Sequence, residues 1–272
     1  MLRKIFGWTM TLLFAATMVI PFLWMLSTSM KSDEMLLVFP PRFFSKGMSF
    51  GSYSKLLELY PMMRMFLNSV IVAISATTGQ IVVCAMAAYA FARLHFGGSK
   101  FLFLVFLATL MIPFQVIMTP LFIEIRYLNW INTYAGIIMP TMSMRIAFGV
   151  FLLRQAFSGI PNELEESAFM DGATHLTIFR SIALPLVKAS LATLLVLSFM
   201  DSWNSFLWPL LVTRDTSIMT LPVGLSSLHG RYSTEWNLVM AGAVISVLPI
   251  IMVFIIAQKQ FIEGLSHSGI KG

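Results

Sequence analysis

The segment ESAFMDGATHLTIFRSIALPL, Glu166 to Leu186, is charged and punctuated by glycine, yet it sits between two long apolar runs. With its flanks, Ser158 to Lys188, it reads as two short helices. Pro161 suits an initial helical position and Asn162 is a good N-cap. Glu163, Glu165 and Glu166 then fall in the early turns, where the helix dipole favours anions. Gly172 stands where a C′ glycine ends a helix, and Thr174 caps the second one. There Leu176, Phe179, Ile182 or Ala183, and Leu186 recur at helical spacing and predict one apolar side. Thr177, Arg180 and Ser181 face the other way, and Pro185 bends the chain toward the next apolar run.

Outward from this segment the chain is apolar. Of its 272 residues 58% are hydrophobic and 11% charged, well under the roughly one-quarter charged that covers a soluble domain. A helix that crosses the hydrocarbon core needs about 20 apolar residues, and six runs qualify. Those spanning 5–30, 65–92, 101–123 and 236–258 hold no charged residue; 133–157 holds Arg145 and Arg154, and 189–213 holds Asp201. The expected fold is an all-α integral membrane protein of six transmembrane helices, with the helix-turn-helix between spans four and five. The first run follows a basic Leu2-Arg3-Lys4 start but is too long for a cleaved signal, so it reads as a retained span. The layout is 1–30 for the N-terminal end and first span, 31–64 for an external loop, 65–258 for the core, with 158–188 inside it, and 259–272 for a tail.

The net charge is +6. The basic residues flank apolar runs and form no aromatic-interleaved patch, which excludes a nucleic-acid partner and points to the bilayer. With the N-terminus inside, nine Lys and Arg near span ends lie inside and eight outside, five of the eight in the long first loop, where the positive-inside rule weakens. The doubly basic second loop, Arg93 to Lys100, tips the balance to N- and C-termini inside. Cys84, the one cysteine, reads as a small packing residue. The four histidines lack metal-ligand spacing.

A membrane-surface helix pair has two readings. One is an interfacial helix on lipid headgroups; the other is a docking surface for a cytoplasmic partner. Three early glutamates oppose the first, since acidic lipids repel them. At the same residues the chain resembles the bacterial ABC importer permeases, whose signature is E-A-A, three residues, G, nine residues, I-x-L-P. Glu166-Ser167-Ala168, Gly172 and Ile182-Ala183-Leu184-Pro185 match every spacing, with Ser167 as the one departure. "SFMDSWNSFLWPLLV", "STEWNLVMAGAV", "QKQFIEGLSHSGIKG", "AMAAYAFARLHF" and "LNWINTYAGIIMP" are similar to the sugar-importing, maltose/maltodextrin-type branch.

The resemblance implies a binding-protein-dependent sugar importer in a bacterial-type cytoplasmic membrane. Its parts are this chain, a second permease subunit as heterodimer partner, two cytoplasmic ATPase subunits and an external solute-binding protein. It implies that the motif docks on the ATPase and fixes the fourth loop inside. The docking set is then Leu164, Glu166, Ser167, Ala168, Met170, Asp171, Gly172 and Phe179: Glu166 for an ion pair, Gly172 for the turn, and Leu164, Ala168, Met170 and Phe179 for apolar contact. The chain is not expected to be an enzyme and binds no cofactor itself. Its nearest approach to a nucleotide loop, Gly97-Gly98-Ser99-Lys100, lacks the spacing that cradles phosphate, so ATP and Mg are left to the partner ATPase. By the same resemblance, the fifth loop, Arg214 to Glu235, faces the binding protein and the "SGIKG" tail reaches the ATPase dimer.

Polar groups inside a membrane are costly and default to functional candidates. Asp201, Trp203, Asn204 and Trp208, with Gln115, form the expected pathway set: aromatic faces stack on sugars, and Asn or Asp binds hydroxyls. Asn68 is a further candidate. The structural alternative is an Asp201–Arg145 pair with interfacial tryptophans. Glycerol-phosphate or polyol importers fit the same pattern. An ion-coupled secondary transporter would need a relay and commonly an inverted repeat, and a membrane enzyme would need a catalytic constellation; the sequence displays neither.

Overall fold

The computed structural model describes residues 2–36, 38–228 and 234–268, with side chains for 6–36, 38–228 and 234–259. Its elements are helical and no strand occurs among the described residues. The middle of the fifth loop, 229–233, and the tail from 269 lie outside the described residues, so the expected reach of "SGIKG" does too.

The chain divides into two compact units. The first takes 1–66 and 220–249. It holds α1 (Leu2–Ser29), α2 (Asp33–Leu36), α3 (Gly51–Leu59), the start of α4 (Met62–Arg93), and, from the far end of the chain, α14 (Leu221–Ser226) and the first half of α15 (Trp236–Ser268). The stretch Phe6–Ser29 is apolar on every side and its side chains are left largely exposed, as suits a helix surrounded by lipid or other membrane helices. The loop after α1 is ordered by its polar side chains. Ser29 Oγ and Tyr53 Oη lie 2.8 Å apart, and Lys55 pairs with Glu235. That hydrogen bond raises the Lys55 pKa. Lys31 is 3% exposed, donates to the Arg42 carbonyl at 2.5 Å and lies over the Trp24 ring, and burial lowers its pKa.

The second unit takes 67–219 and 250–272. After most of α4 come α5 (Ser99–Ala108), α6 (Phe114–Tyr127), α7 (Tyr134–Ser143), α8 (Ile146–Ser158), α9 (Asn162–Met170), α10 (His175–Ile178), α11 (Leu184–Leu186), α12 (Lys188–Trp203) and α13 (Leu207–Val212). A π-helical turn, Phe179–Ala183, joins α10 to α11. One core packs α4 against α8, the π turn and α12 through Ala88, Tyr89, Leu153, Phe157, Ala183 and Leu194. Cys84 lies in it, fully buried, at the site where Gly149 lets α8 approach; a Cβ on Gly149 would sit 2.5 Å from the sulfur. A second core gathers Val72, Ile125, Ile137, Trp208 and Val212.

Among the described residues, three helices are long and apolar enough to cross a bilayer: Phe6–Ser29, Met62–Arg93 and Trp236–Lys259. These match the first, second and sixth expected spans, although α15 runs on to Ser268, so the expected tail begins as helix. The other three runs are broken. The third bends by 99° between Met111 and Phe114. Pro113 forces Ile112 into extended backbone (ψ 114°) and so ends the helix. The fourth bends by 44° between Ser143 and Ile146. The fifth was expected as one span over 189–213; it stops at Trp203, with Asn204 as C-cap, and resumes at Leu207.

Candidate functional site

The segment between α8 and α12 has two faces. Along α9, Glu165 and Ala168 are buried, while Glu163, Leu164, Glu166, Ser167, Phe169 and Met170 are exposed, Met170 at 89%. Adjacent residues on a helix sit about 100° apart, so Glu165 turns inward where Glu166 turns outward. No ion pair engages Glu166 among the described residues. Ser167 Oγ donates to the Leu164 carbonyl at 3.2 Å.

The helix ends in a Schellman motif. Ala173 N donates to Ala168 O at 2.9 Å and Gly172 N to Phe169 O at 3.0 Å, after Asp171 as C-cap. Gly172 has φ +81°, the left-handed conformation that glycine adopts freely. A Cβ there would meet nothing within 4 Å, so the backbone angle alone selects glycine. Thr174 caps the second helix as expected, its Oγ1 accepting from Thr177 N at 3.3 Å. Asn162 does not cap the first: Pro161 holds that position, and the Asn162 Oδ1 accepts instead from Arg93.

The second helix departs from its expected face. Ile178, Ala183 and Val187 are buried, whereas Leu176 and Leu186 are more than half exposed. The π turn is the cause. It adds one residue to a turn, so the buried positions fall five and then four apart and the 3.6-residue phase slips. Phe179 and Ala168, two of the four expected apolar docking residues, turn inward. Phe179 packs on Tyr89 at 5.1 Å and on Phe157 at 6.3 Å between ring centroids. Phe169 and Leu176 stand outward with Leu164 and Met170.

One arginine, weighed in the sequence only as a loop charge, holds this segment. Arg93 is the last residue of α4, and its side chain is 7% exposed. Nε faces Glu165 Oε1 at 3.2 Å, an ion pair outside hydrogen-bond alignment. Nη1 donates to Asn162 Oδ1, and Nη2 donates to the Phe157 carbonyl at 2.7 Å and to that of Ile160. Arg154 reaches back from α8, its Nε donating to Phe91 O at 3.3 Å and its guanidinium lying over Phe103. The signal in the sequence was Arg93's position: it closes the charge-free run 65–92 and lies far from Glu165 along the chain.

The expected pathway set separates. Trp203 is 1% exposed and stacks on Phe199 at 5.7 Å. Trp208 is 2% exposed, donates Nε1 to Gly136 O at 3.0 Å and meets Phe114 edge-on. Asn68 is buried and donates to Ser217 O and Met219 O while accepting from Tyr134 Oη at 2.6 Å. These three hold the fold; neither tryptophan offers a face to a solute. Asn204 and Gln115 are exposed. Asn204 Nδ2 donates to the Met200 carbonyl at 2.8 Å. Asp201 Oδ1 takes Arg145 Nη2 at 2.5 Å, and the pair is half exposed, with Arg145 at the break between α7 and α8. The structural alternative for Asp201 is therefore the one observed.

An all-helical chain of apolar runs, interrupted by a pinned segment with an acidic outer face, has the build of a transporter's membrane subunit. The family model described as "Binding-protein-dependent transport system inner membrane component" matches residues 1–267, and the chain belongs to that family. It is 42% identical over 207 residues to the arabinooligosaccharides transport system permease protein AraQ of Halalkalibacterium halodurans, covering 76% of this chain and 74% of that one. It is 38% identical over 210 residues to the sn-glycerol-3-phosphate transport system permease protein UgpE of Salmonella typhi, with the same two coverages. In fold it is similar to a bacterial ABC transporter involved in import of the acidic polysaccharide alginate: TM-score 0.83 at 24% identity, over 95% of this chain and 97% of that one. The protein is thus an inner-membrane permease subunit of an ABC importer, and the expected family is the observed one.

Proposed function

We propose that this chain forms half of a carbohydrate pathway and couples it to ATP hydrolysed by a separate subunit. Six spans cross the membrane, the third, fourth and fifth as broken helices, with both termini and the α9–α11 segment cytoplasmic. Broken helices are tolerated where they line a cavity or pack within protein. A second permease completes the pathway, two ATPases dock on α9–α11, and an external binding protein delivers the solute. The observation that carries this reading is the two-faced segment. Its inner face is bound to α4 and α8, and its outer face offers Glu166, Leu164, Phe169, Met170 and Leu176 to a partner. Closure of the ATPases would displace that face and bias the spans between two openings.

The solute reading is a neutral oligosaccharide. AraQ of H. halodurans is named for arabinooligosaccharides and UgpE of S. typhi for sn-glycerol-3-phosphate. A phosphate needs an unspent cation in the path, and Arg145 is already neutralised by Asp201. The exposed amides of Asn204 and Gln115 suit hydroxyl groups. The test is uptake by proteoliposomes that contain the full complex, with ligands found by screening its binding protein. Neutral oligosaccharides should be taken up with ATP on the α9 side only, and E166R should reduce uptake at least tenfold. Uptake of glycerol phosphate in place of sugars overturns the solute assignment, and wild-type uptake by E166R overturns the docking assignment.

A further inference from the structure

A lever transmits only if it is fixed to what it moves. The chain between α8 and α9 is short, Gly159-Ile160-Pro161, and its backbone is tied to the end of α8 by two bonds of 3.2 Å, Gly159 N to Ala156 O and Ile160 N to Phe157 O, with none to α9 itself among those described. Arg93 spans that joint. Its guanidinium touches four groups in sequence order: the Phe157 carbonyl in the last turn of α8, the Ile160 carbonyl in the joint, Asn162 at the start of α9, and Glu165 one turn on. A helix leaves its last carbonyls without intrahelical partners, and here the Phe157 carbonyl accepts from Arg93 as well as from Ile160 N at 3.2 Å. Tyr89, one turn earlier on α4, packs edge-on against Phe157 at 5.6 Å and against Phe179 of the π turn. The second half of the segment is thereby seated on the same two helices. Arg154 adds a crossing in the opposite direction, from α8 to the Phe91 carbonyl of α4. Glu165, 9% exposed, has Arg93 as its ion-pair partner.

We propose that Arg93 is the positioning residue that makes α9 move as one body with α4 and α8, so that displacement by the ATPase reaches the spans and is not lost at the 159–161 joint. Arg93 touches neither solute nor ATPase in this assignment; it acts through Glu165 and Asn162. Planarity suits it to the task, because one rigid fork reaches acceptors on three sides where a lysine offers a single point charge. The proposal rests on docking of the outer face of α9 to the ATPase.

The test uses the full importer complex in proteoliposomes and reads solute transported per ATP hydrolysed, normalised to assembled complex. R93M should still hydrolyse ATP but transport at least tenfold less solute per ATP, and R93K should fall between R93M and the wild type. Pulsed-EPR distances between labels at H95C and M170C provide a readout that mere destabilisation would not move. In the wild type this separation should be the same with and without ATP; in R93M it should broaden or shift when ATP is added. If R93M does not assemble, R93K carries both measurements. An unchanged transport-to-ATP ratio, or activity lost only in proportion to complex lost, overturns the clamp. E166R is run in parallel. Loss of transport in E166R with an unchanged ratio in R93M discards the clamp alone, whereas wild-type transport in E166R discards docking and the clamp with it.

Discussion

At Gly172 the constraint on the side chain is an angle and not a volume. The space around it is open and its φ is +81°. A residue that tolerates left-handed backbone should therefore be accepted irrespective of size, and a β-branched one refused. G172N should lower the stability of the assembled complex by well under 1 kcal/mol and G172V by about 1–2 kcal/mol, read as the thermal midpoint of the purified complex. A bulk-dependent loss, with G172N as damaging as G172V, would point to a contact with the ATPase at this residue. The sequence placed this glycine well because helix termination is local chemistry. It placed Trp203 and Trp208 poorly because residue type alone does not say whether an aromatic face is covered, and here Phe199, Gly136 and Phe114 cover them.

Among the elements, α1, α4 and α15 were readable because an uninterrupted apolar run has one interpretation at that length. The broken runs were not, since composition is blind to direction. Pro113 marked a kink, but a bend of 99° comes from the extended Ile112 before it and the packing on either side. The stop at Asn204 has no proline at all. The inner face of α10–α11 was misassigned because periodicity assumes 3.6 residues per turn, and the π turn holds one residue more. This gives an element-scale expectation. Removal of exposed Ser181 from the π turn should restore a regular helix that keeps Ile178, Ala183 and Val187 on one face, and the complex should still assemble. Removal of Ser167 from α9, which is regular, should rotate everything beyond it by about 100° and prevent assembly. Equal yields of the two deletions by size-exclusion chromatography would rule out this account of the face.

For the whole molecule the orientation is the property that charge left nearly balanced, and it has a direct measurement. A membrane-impermeant maleimide should label M170C only from the ATPase side. The native chain supplies little background, since Cys84 is completely buried. Labelling from the binding-protein side would invert the topology and remove the docking face from the cytoplasm.

Among the described residues, two arginine–carboxylate pairs of the second unit differ in how firmly they hold. Arg93–Glu165 is shut away from its surroundings, and removal of one partner from such a pair costs about 3–5 kcal/mol. Arg145–Asp201 is less enclosed, its side chains 54% and 35% exposed, and it lies where α7 and α8 break. The enclosed pair thus sits at the α9 segment proposed to dock the ATPase, and the open one at a helix break. On the proposed docking, a push on α9 passes first through the enclosed Arg93–Glu165 pair and only afterwards meets the open Arg145–Asp201 pair, so the chain acts as a lever with a closed root and an open far end.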